Sequence, residues 1–521
     1  MQTKVFLTPF DQMVYDPTGR ARSTINRFRD TPNTPVPHPY AYRTRDEWLT
    51  EYIAYRNKQF NKKHSRIFTY DDQFISKFGG QGGNYSIETL EEQYATFFER
   101  AETLRQYRIA IIGRDYLIRL FRQQCEMTGK PSPLPDYRGT VGTNGALPTM
   151  RKKGSFIAET VGMTRWRHPI PNLPGQRKQR NKKRPVNQDA NPNVRYIEEY
   201  VARMKLWLKT YFPRFVPAWI RPDVELQPLI YEFLKRPLSA IETDFDACDS
   251  YWGVENATEV VLPLYEVILN SMEYAQFFSF VEELFYQPIY MGNYMLTGKH
   301  NLLSGQVITN DFETLYDLCV VIGAMLDIGL VPEEQLILCN GDDVSIGTRQ
   351  IKKAECLKER IIDEFILNGM KMSLEKCGTS EGEITFCKRY YYPGCSPERY
   401  NLNGRPYYDG VYPAVLTVNS IINPERYASG LDELVAMLQR LDNLYGSSIY
   451  EAIAKWLISN RRGNPFNGSY SELDQYRSSD WWDRLYGQLW CSAESIPPIT
   501  RSVLIEFRVG SVKRIPSPVR Y

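Results

Sequence analysis

The chain has no long apolar run, no paired cysteines and very few histidines, and each shortage removes a class of protein. Its longest apolar stretch, Cys319 to Pro332, is broken by Asp327 and falls short of the roughly 20 residues that a bilayer crossing needs. No membrane segment is expected. The opening residues Met-Gln-Thr-Lys-Val-Phe lack the basic, apolar, small-residue order of a secretory signal, which points to a cytosol-like compartment. Nine cysteines are an odd number and none forms a Cys-x-x-Cys pair, so neither a disulfide framework nor a structural zinc site is expected. The histidines, His38, His64, His168 and His300, stand apart, and their spacing suggests structural roles rather than zinc ligation. Solenoid repeats and low-complexity tracts are lacking as well.

What is present is an ordinary folding composition, 42% hydrophobic and 24% charged over 521 residues, long enough for two or three lobes or one large layered domain. The net charge of +3 hides an asymmetry. Residues 151 to 184 carry eleven Lys or Arg against a single acid, Glu159, so one segment is strongly basic while the remainder is mildly acidic. Such a patch faces either open water or an anionic partner.

Hydrophobic periodicity predicts an amphipathic helix through Val194, Ile197, Val201, Met204 and Leu208, stopped by Pro213. The Gly-, Pro- and Lys/Arg-rich stretch from Pro131 to Pro192 reads as loops and short strands. From Leu238 onward, short apolar runs that end in acids alternate with long helical patterns, at Thr309 to Gly329 and Ala354 to Asn368, which is the mark of an α+β lobe. Beyond Pro393 the pattern is mostly helical.

Three segments carry chemistry. In Gln335-Leu-Ile-Leu-Cys-Asn-Gly-Asp-Asp-Val-Ser-Ile346, two apolar runs flank Asn340-Gly341, a hairpin signal that presents Asp342 and Asp343 together. Adjacent carboxylates repel, and a hard divalent cation offsets that cost. An acidic hairpin turn would look the same, and Gly-Asp-Asp arises by chance in roughly one in ten chains of this length. The second segment, Ala240-Ile-Glu-Thr-Asp244-Phe-Asp-Ala-Cys-Asp249, places three acids within six residues after a strand. A solvated helix start is its plain alternative. The third, Ser304-Gly305-Gln-Val-Ile-Thr309-Asn310-Asp-Phe-Glu313, is a flexible loop feeding a helix whose first turn offers hydroxyls and an amide to a sugar or phosphate. A simple capping box would also account for it.

In this order, Asp-x4-Asp, Ser-Gly-x3-Thr and Gly-Asp-Asp resemble motifs A, B and C of viral RNA-dependent RNA polymerases. Thr379 to Arg389 resembles the primer-grip motif E, Lys376 sits where motif D carries its lysine, Arg177 to Arg184 resembles motif F, and Thr143 to Pro148 resembles motif G. The likeness covers Thr143 to Arg389, and the Thr-Asn-x-x-Glu form of motif B brings it nearest to picobirnavirus polymerases, with partitiviruses next.

The resemblance implies a right hand of fingers, palm and thumb, with an RRM-like antiparallel palm sheet and closed fingertips. It implies fingers at 1–193, palm at 194–255, a fingers insertion at 256–295, palm again at 296–393, and thumb and tail at 394–521. It implies RNA-templated RNA synthesis with Mg²⁺, which Mn²⁺ can replace, on a double-stranded viral genome. Asp244 and Asp342 would hold the metals and Asp343 would assist. Lys376 would act as general acid, with Lys371 behind it. Asp249, Ser304, Gly305, Thr309, Asn310, Arg180, Lys183 and Arg184 would bind the nucleotide, and Thr143, Gly145, Lys388 and Arg389 the template or product. The implied partners are RNA, nucleoside triphosphates and capsid protein, in the virion interior or host cytoplasm. Glu313 departs from the asparagine that many relatives carry.

Overall fold

The computed structural model of the protein describes residues 2–15, 39–60, 65–79, 87–134, 173–179, 182–188, 193–220, 223–393, 399–400, 406–407, 410–424, 440–444 and 450–462. Strand β1 (Thr3–Phe6) closes a small antiparallel sheet with β5 (Ile289–Tyr290) and β6 (Tyr294–Thr297). The basic segment folds as a hairpin of β2 (Leu173–Gln179) and β3 (Lys182–Gln188), which pairs Arg177 with Arg184 and Lys178 with Lys183. Thr143, Gly145, Arg180 and the tail from Ser511 lie outside the described residues.

The sheet that positions the acids is four-stranded and antiparallel. Strands β4 (Ser239–Thr243), β7 (Leu336–Asn340), β8 (Asp343–Thr348) and β9 (Gly378–Glu381) lie in the order β7-β8-β4-β9. Successive side chains alternate faces. Ile241, Ile337, Cys339 and Ile346 enter the main helical core, whereas Ala240, Leu336 and Leu338 meet Leu226, Ile230, Ile384 and Phe386 on the other face. That second face is covered in part by a short hairpin of β10 (Ile384–Phe386) and β11 (Arg389–Tyr391). Glu242 and Ser345 hold it there: the Thr385 N–H donates to Glu242 Oε1 at 2.6 Å and the Ser345 hydroxyl donates to the Thr385 carbonyl.

Four long helices frame the first face: α1 (Ile109–Thr128), α2 (Val194–Tyr211), α3 (Thr309–Asp327) and α4 (Ala354–Leu367). Helix α2 follows the predicted period and buries Ile197, Val201, Met204 and Leu208. Helix α3 is buried along nearly its whole length, from Phe312 to Met325. Where it crosses α1, glycines make the contact: a Cβ on Gly113 would lie 1.9 Å from the Cys319 carbonyl oxygen, and one on Gly323 would lie 2.0 Å from that of Ile109. The backbones therefore touch, and the buried Glu364 of α4 caps α1 by accepting the Arg108 and Ala110 N–H groups, each at 2.9 Å.

A separate core joins the two ends of the chain. Trp48 of the 45–59 helix packs edge-on against Trp456 and Tyr52 packs tilted against it, and Tyr40 and Phe78 lie with Val415, Val418, Ile421 and Leu457. Asp71, 1% exposed, accepts from Tyr52, Arg56 and the Val415 N–H at 2.6, 3.0 and 2.7 Å. No described helix is long and apolar enough to cross a membrane.

Candidate functional site

Antiparallel pairing of β4 with β8 sets Thr243 opposite Val344, so Asp244, one residue past β4, and Asp343, the first residue of β8, lie at the same end of the sheet. The β7–β8 loop is Gly341-Asp342, closed by the Asn340–Asp343 pair. The hairpin forms as expected, but its two-residue loop begins one position later than Asn340-Gly341. Gly341 takes φ +60°, at the first loop position where a II′ turn calls for glycine.

Helix α3 fastens that loop. The Gly341 N–H donates to the Thr314 hydroxyl at 2.7 Å, Thr314 donates on to the Asn310 carbonyl at 2.6 Å, and the Asn310 amide donates to the Asn340 side chain at 3.2 Å. A Cβ on Gly341 would come within 2.7 Å of Asn310 Oδ1. Gly341→Ala therefore combines a left-handed backbone with a clash, and is expected to destabilise the protein by about 2 kcal/mol, read from the denaturation midpoint.

The capping-box alternative for 309–313 does not hold: the Ile308 cap has no side-chain hydrogen bond. The Thr309 hydroxyl instead donates to the Leu303 carbonyl at 3.0 Å, stapling the Ser304-Gly305 loop to the helix start. Gly305 adopts φ +89°.

For the Asp244–Asp249 acids the solvated-helix alternative fails at Asp249 alone, since Asp244 and Asp246 keep nearly half of their side chains exposed. Asp249 is 4% exposed and lies beside Glu313, 3% exposed, which in turn neighbours Asp317, 1% exposed. Burial, then the charges of Asp249 and Asp342 and a hydrogen bond to Asp249, push the Glu313 carboxyl well above the usual range. Burial and Asp342 do the same to Asp317. For raised carboxyls the folded state holds the extra protons, so their contribution to stability is complete below about pH 4 and is lost as pH climbs through the folded values. The protein without added metal is expected to melt at a higher temperature at pH 6 than at pH 8, as calorimetry would read.

Nearer the surface, Lys376 Nζ lies 2.5 Å from Asp244 Oδ2, and Lys371 pairs with Asp246 at 2.5 Å. Asp343 keeps solvent exposure at the start of β8, yet the protein crowded around it displaces enough water, with the charge of Asp244, to push its carboxyl above the usual range, while Lys388, the Cys387 thiol and Lys77 pull it back. The donors at this end of the sheet are hard carboxylate oxygens whose repulsion a divalent cation would offset, and an ammonium already sits on one of them. Among the described residues no three His, Cys, Asp or Glu side chains close on one point.

No family model matches the sequence, and no curated protein matches it. The structure superimposes on the crystal structure of the RNA-dependent RNA polymerase of a human picobirnavirus with a TM-score of 0.71, at 15% identity over 91% of this chain and 93% of that one. The chain has the right-hand polymerase fold. An insertion-loop deletion mutant of such a polymerase gives a TM-score of 0.66 at 16% identity, over 92% of this chain and 98% of the other.

Within the right-hand fold the acids, Lys376 and the 304–313 segment meet at one end of the sheet. Arg389 donates instead to the Gly410 and Asn443 carbonyls, at 3.2 and 3.3 Å. Sequence reasoning missed Thr314, one helical turn beyond Asn310 and so on the same face. It also missed Lys77 and Cys387, whose effect on Asp343 depends on contacts far along the chain that no spacing announces.

Proposed function

We propose that the protein is an RNA-dependent RNA polymerase, a nucleotidyltransferase that adds ribonucleotides to a 3′-hydroxyl on an RNA template. The observation that carries this is the convergence of Asp244 and the Gly341-Asp342-Asp343 turn at one sheet end, faced by Asn310 and Thr314 of α3, within a right-hand fold. In this reading the four-stranded sheet and its helices are an RRM-like palm at 194–255 and 296–393. Residues 1–193 and 256–295 are fingers, and 394–521 thumb and tail. The core shared by residues 40–78 and 411–457 supports a hand with closed fingertips.

Asp244 and Asp342 would hold two Mg²⁺ or Mn²⁺ ions, with Asp343 assisting. When bound, such ions would supply the positive charge that favours ionisation of a 3′-hydroxyl and offsets the charge of the triphosphate. Asp249 would accept a hydrogen bond from the ribose 2′-hydroxyl, next to Thr309 and Asn310. Lys376, released from Asp244, would give a proton to the departing pyrophosphate. Lys183 and Arg184 on β3, with Arg180, would meet the incoming phosphates. Thr143, Gly145, Lys388 and Arg389 would contact template or product. A double-stranded viral genome, capsid partners and a place in the virion or host cytoplasm belong to the same reading.

The test is incorporation on a homopolymeric RNA template with Mg²⁺ or Mn²⁺, comparing ribo- with deoxyribonucleotides. Ribonucleotide preference is expected. A preference for deoxyribonucleotides would make the protein a reverse transcriptase, and binding of RNA without product would make it a scaffold.

A further inference from the structure

The tip of the β10–β11 hairpin is a two-residue loop, Cys387-Lys388, closed by the Phe386–Arg389 pair. Both loop residues take left-handed backbone, with φ +46° and +64°. Such turns are ordinarily built from Asn and Gly, because a side chain in that region costs about 1–2 kcal/mol per residue. Strain of this kind persists where the surroundings hold it in place, and it clusters at working sites. Here the strained residues reach the carboxylate turn: the Asn340 amide donates to Cys387 Sγ at 3.6 Å, and the same thiol favours the charged Asp343 carboxylate through a hydrogen bond. The thiol thus touches both residues of the pair that closes the Gly341-Asp342 loop.

The hairpin is braced from behind. Arg66 stacks over Tyr392 at 4.4 Å and over Tyr390 at 5.3 Å and pairs with Glu383. Tyr70 packs on Tyr390 at 5.1 Å, and Arg389 anchors the base to Gly410 and Asn443. The tip is therefore fixed relative to the sheet by residues from both ends of the chain.

We propose that Cys387 is a positioning residue for the metal-binding turn: the braced hairpin presses its thiol on Asp343 and Asn340 and so fixes the direction of the Asp343 carboxylate before any cation arrives. This rests on the polymerase reading for the identity of the turn. It differs from a plain packing role in one consequence. Glycine at 387 relieves the backbone strain and removes the thiol, so fold stability and cation binding move in opposite directions.

The experiment titrates Mn²⁺ alone into wild-type protein and the Cys387→Gly, Cys387→Ala and Cys387→Ser variants by isothermal calorimetry, with melting temperatures alongside. Losing one hydrogen bond to a charged ligand group is expected to weaken Mn²⁺ binding roughly three- to tenfold in the glycine and alanine variants. Cys387→Gly should melt no lower than wild type, and Cys387→Ser, which keeps a donor, should bind within about twofold of wild type. Wild-type affinity in Cys387→Gly, or a serine variant as weak as the alanine one, overturns the proposal. Failure of the polymerase reading appears separately, as wild-type protein that binds Mn²⁺ but incorporates no ribonucleotide.

Discussion

Asp342→Asn and Asp244→Asn are each expected to reduce metal-dependent ribonucleotide incorporation by about a thousandfold or more, with the fold retained. Each change keeps the shape of the side chain and removes the charge that a divalent cation needs. Stability should barely change. Asp244 and Lys376 are both about half exposed, and ion pairs of that kind contribute about 0–1 kcal/mol. Asp342 is exposed, at a turn whose Gly341 N–H is held by Thr314. Asp343→Asn should cost less, since that carboxylate assists and its charge is already opposed by that of Asp244. Single-nucleotide extension of a labelled primer, with circular dichroism as the folding control, separates these outcomes. An Asp342→Asn protein within tenfold of wild type would remove Asp342 from the site.

The parts of this site that could be read in the sequence are those fixed by local chemistry. Two apolar runs around Asn340-Gly341 specify a hairpin whatever surrounds them, and the 194–211 helix follows from its period and its flanking prolines. The order of Asp244, Ser304-Gly305 and Gly341-Asp342-Asp343 pointed to one constellation, and the sheet register brings its acids to one end. What could not be read depends on which distant segments pack together. Asp249 and Glu313 look like surface acids on helix starts until α3 is laid across the sheet and both are buried. Cys387 looks like one of nine scattered thiols until β10–β11 is folded onto Glu242 and Ser345. Residues 65–77 gave no sign of reaching the site, because their link to Tyr390 and Glu383 spans more than three hundred positions.

Glycine was the other unreadable feature. In a helical pattern a lone glycine counts only as a loss of about 1 kcal/mol in propensity against alanine. Gly113 and Gly323 are instead the points at which α1 and α3 meet backbone to backbone. Gly323→Val would put a branched side chain where even a Cβ lies 2.0 Å from the Ile109 carbonyl oxygen and 2.8 Å from its carbonyl carbon. Relief requires the helices to part by more than an ångström. That would loosen the buried run from Phe312 to Met325 and, at the far end of the same helix, the Thr314 and Asn310 contacts that hold the Gly341-Asp342 turn. The expected cost exceeds about 3 kcal/mol, enough to leave much of the protein unfolded or insoluble at 37 °C. Gly323→Ala should cost about 2 kcal/mol, because its gain in helix propensity is outweighed by the overlap. Gly378→Ala, with nothing within 4 Å of the added carbon, is the matched control and should melt within a degree or two of wild type. If Gly323→Ala melted as high as that control, the close crossing of α1 and α3 would be wrong, and with it the account of how α3 holds the carboxylate turn.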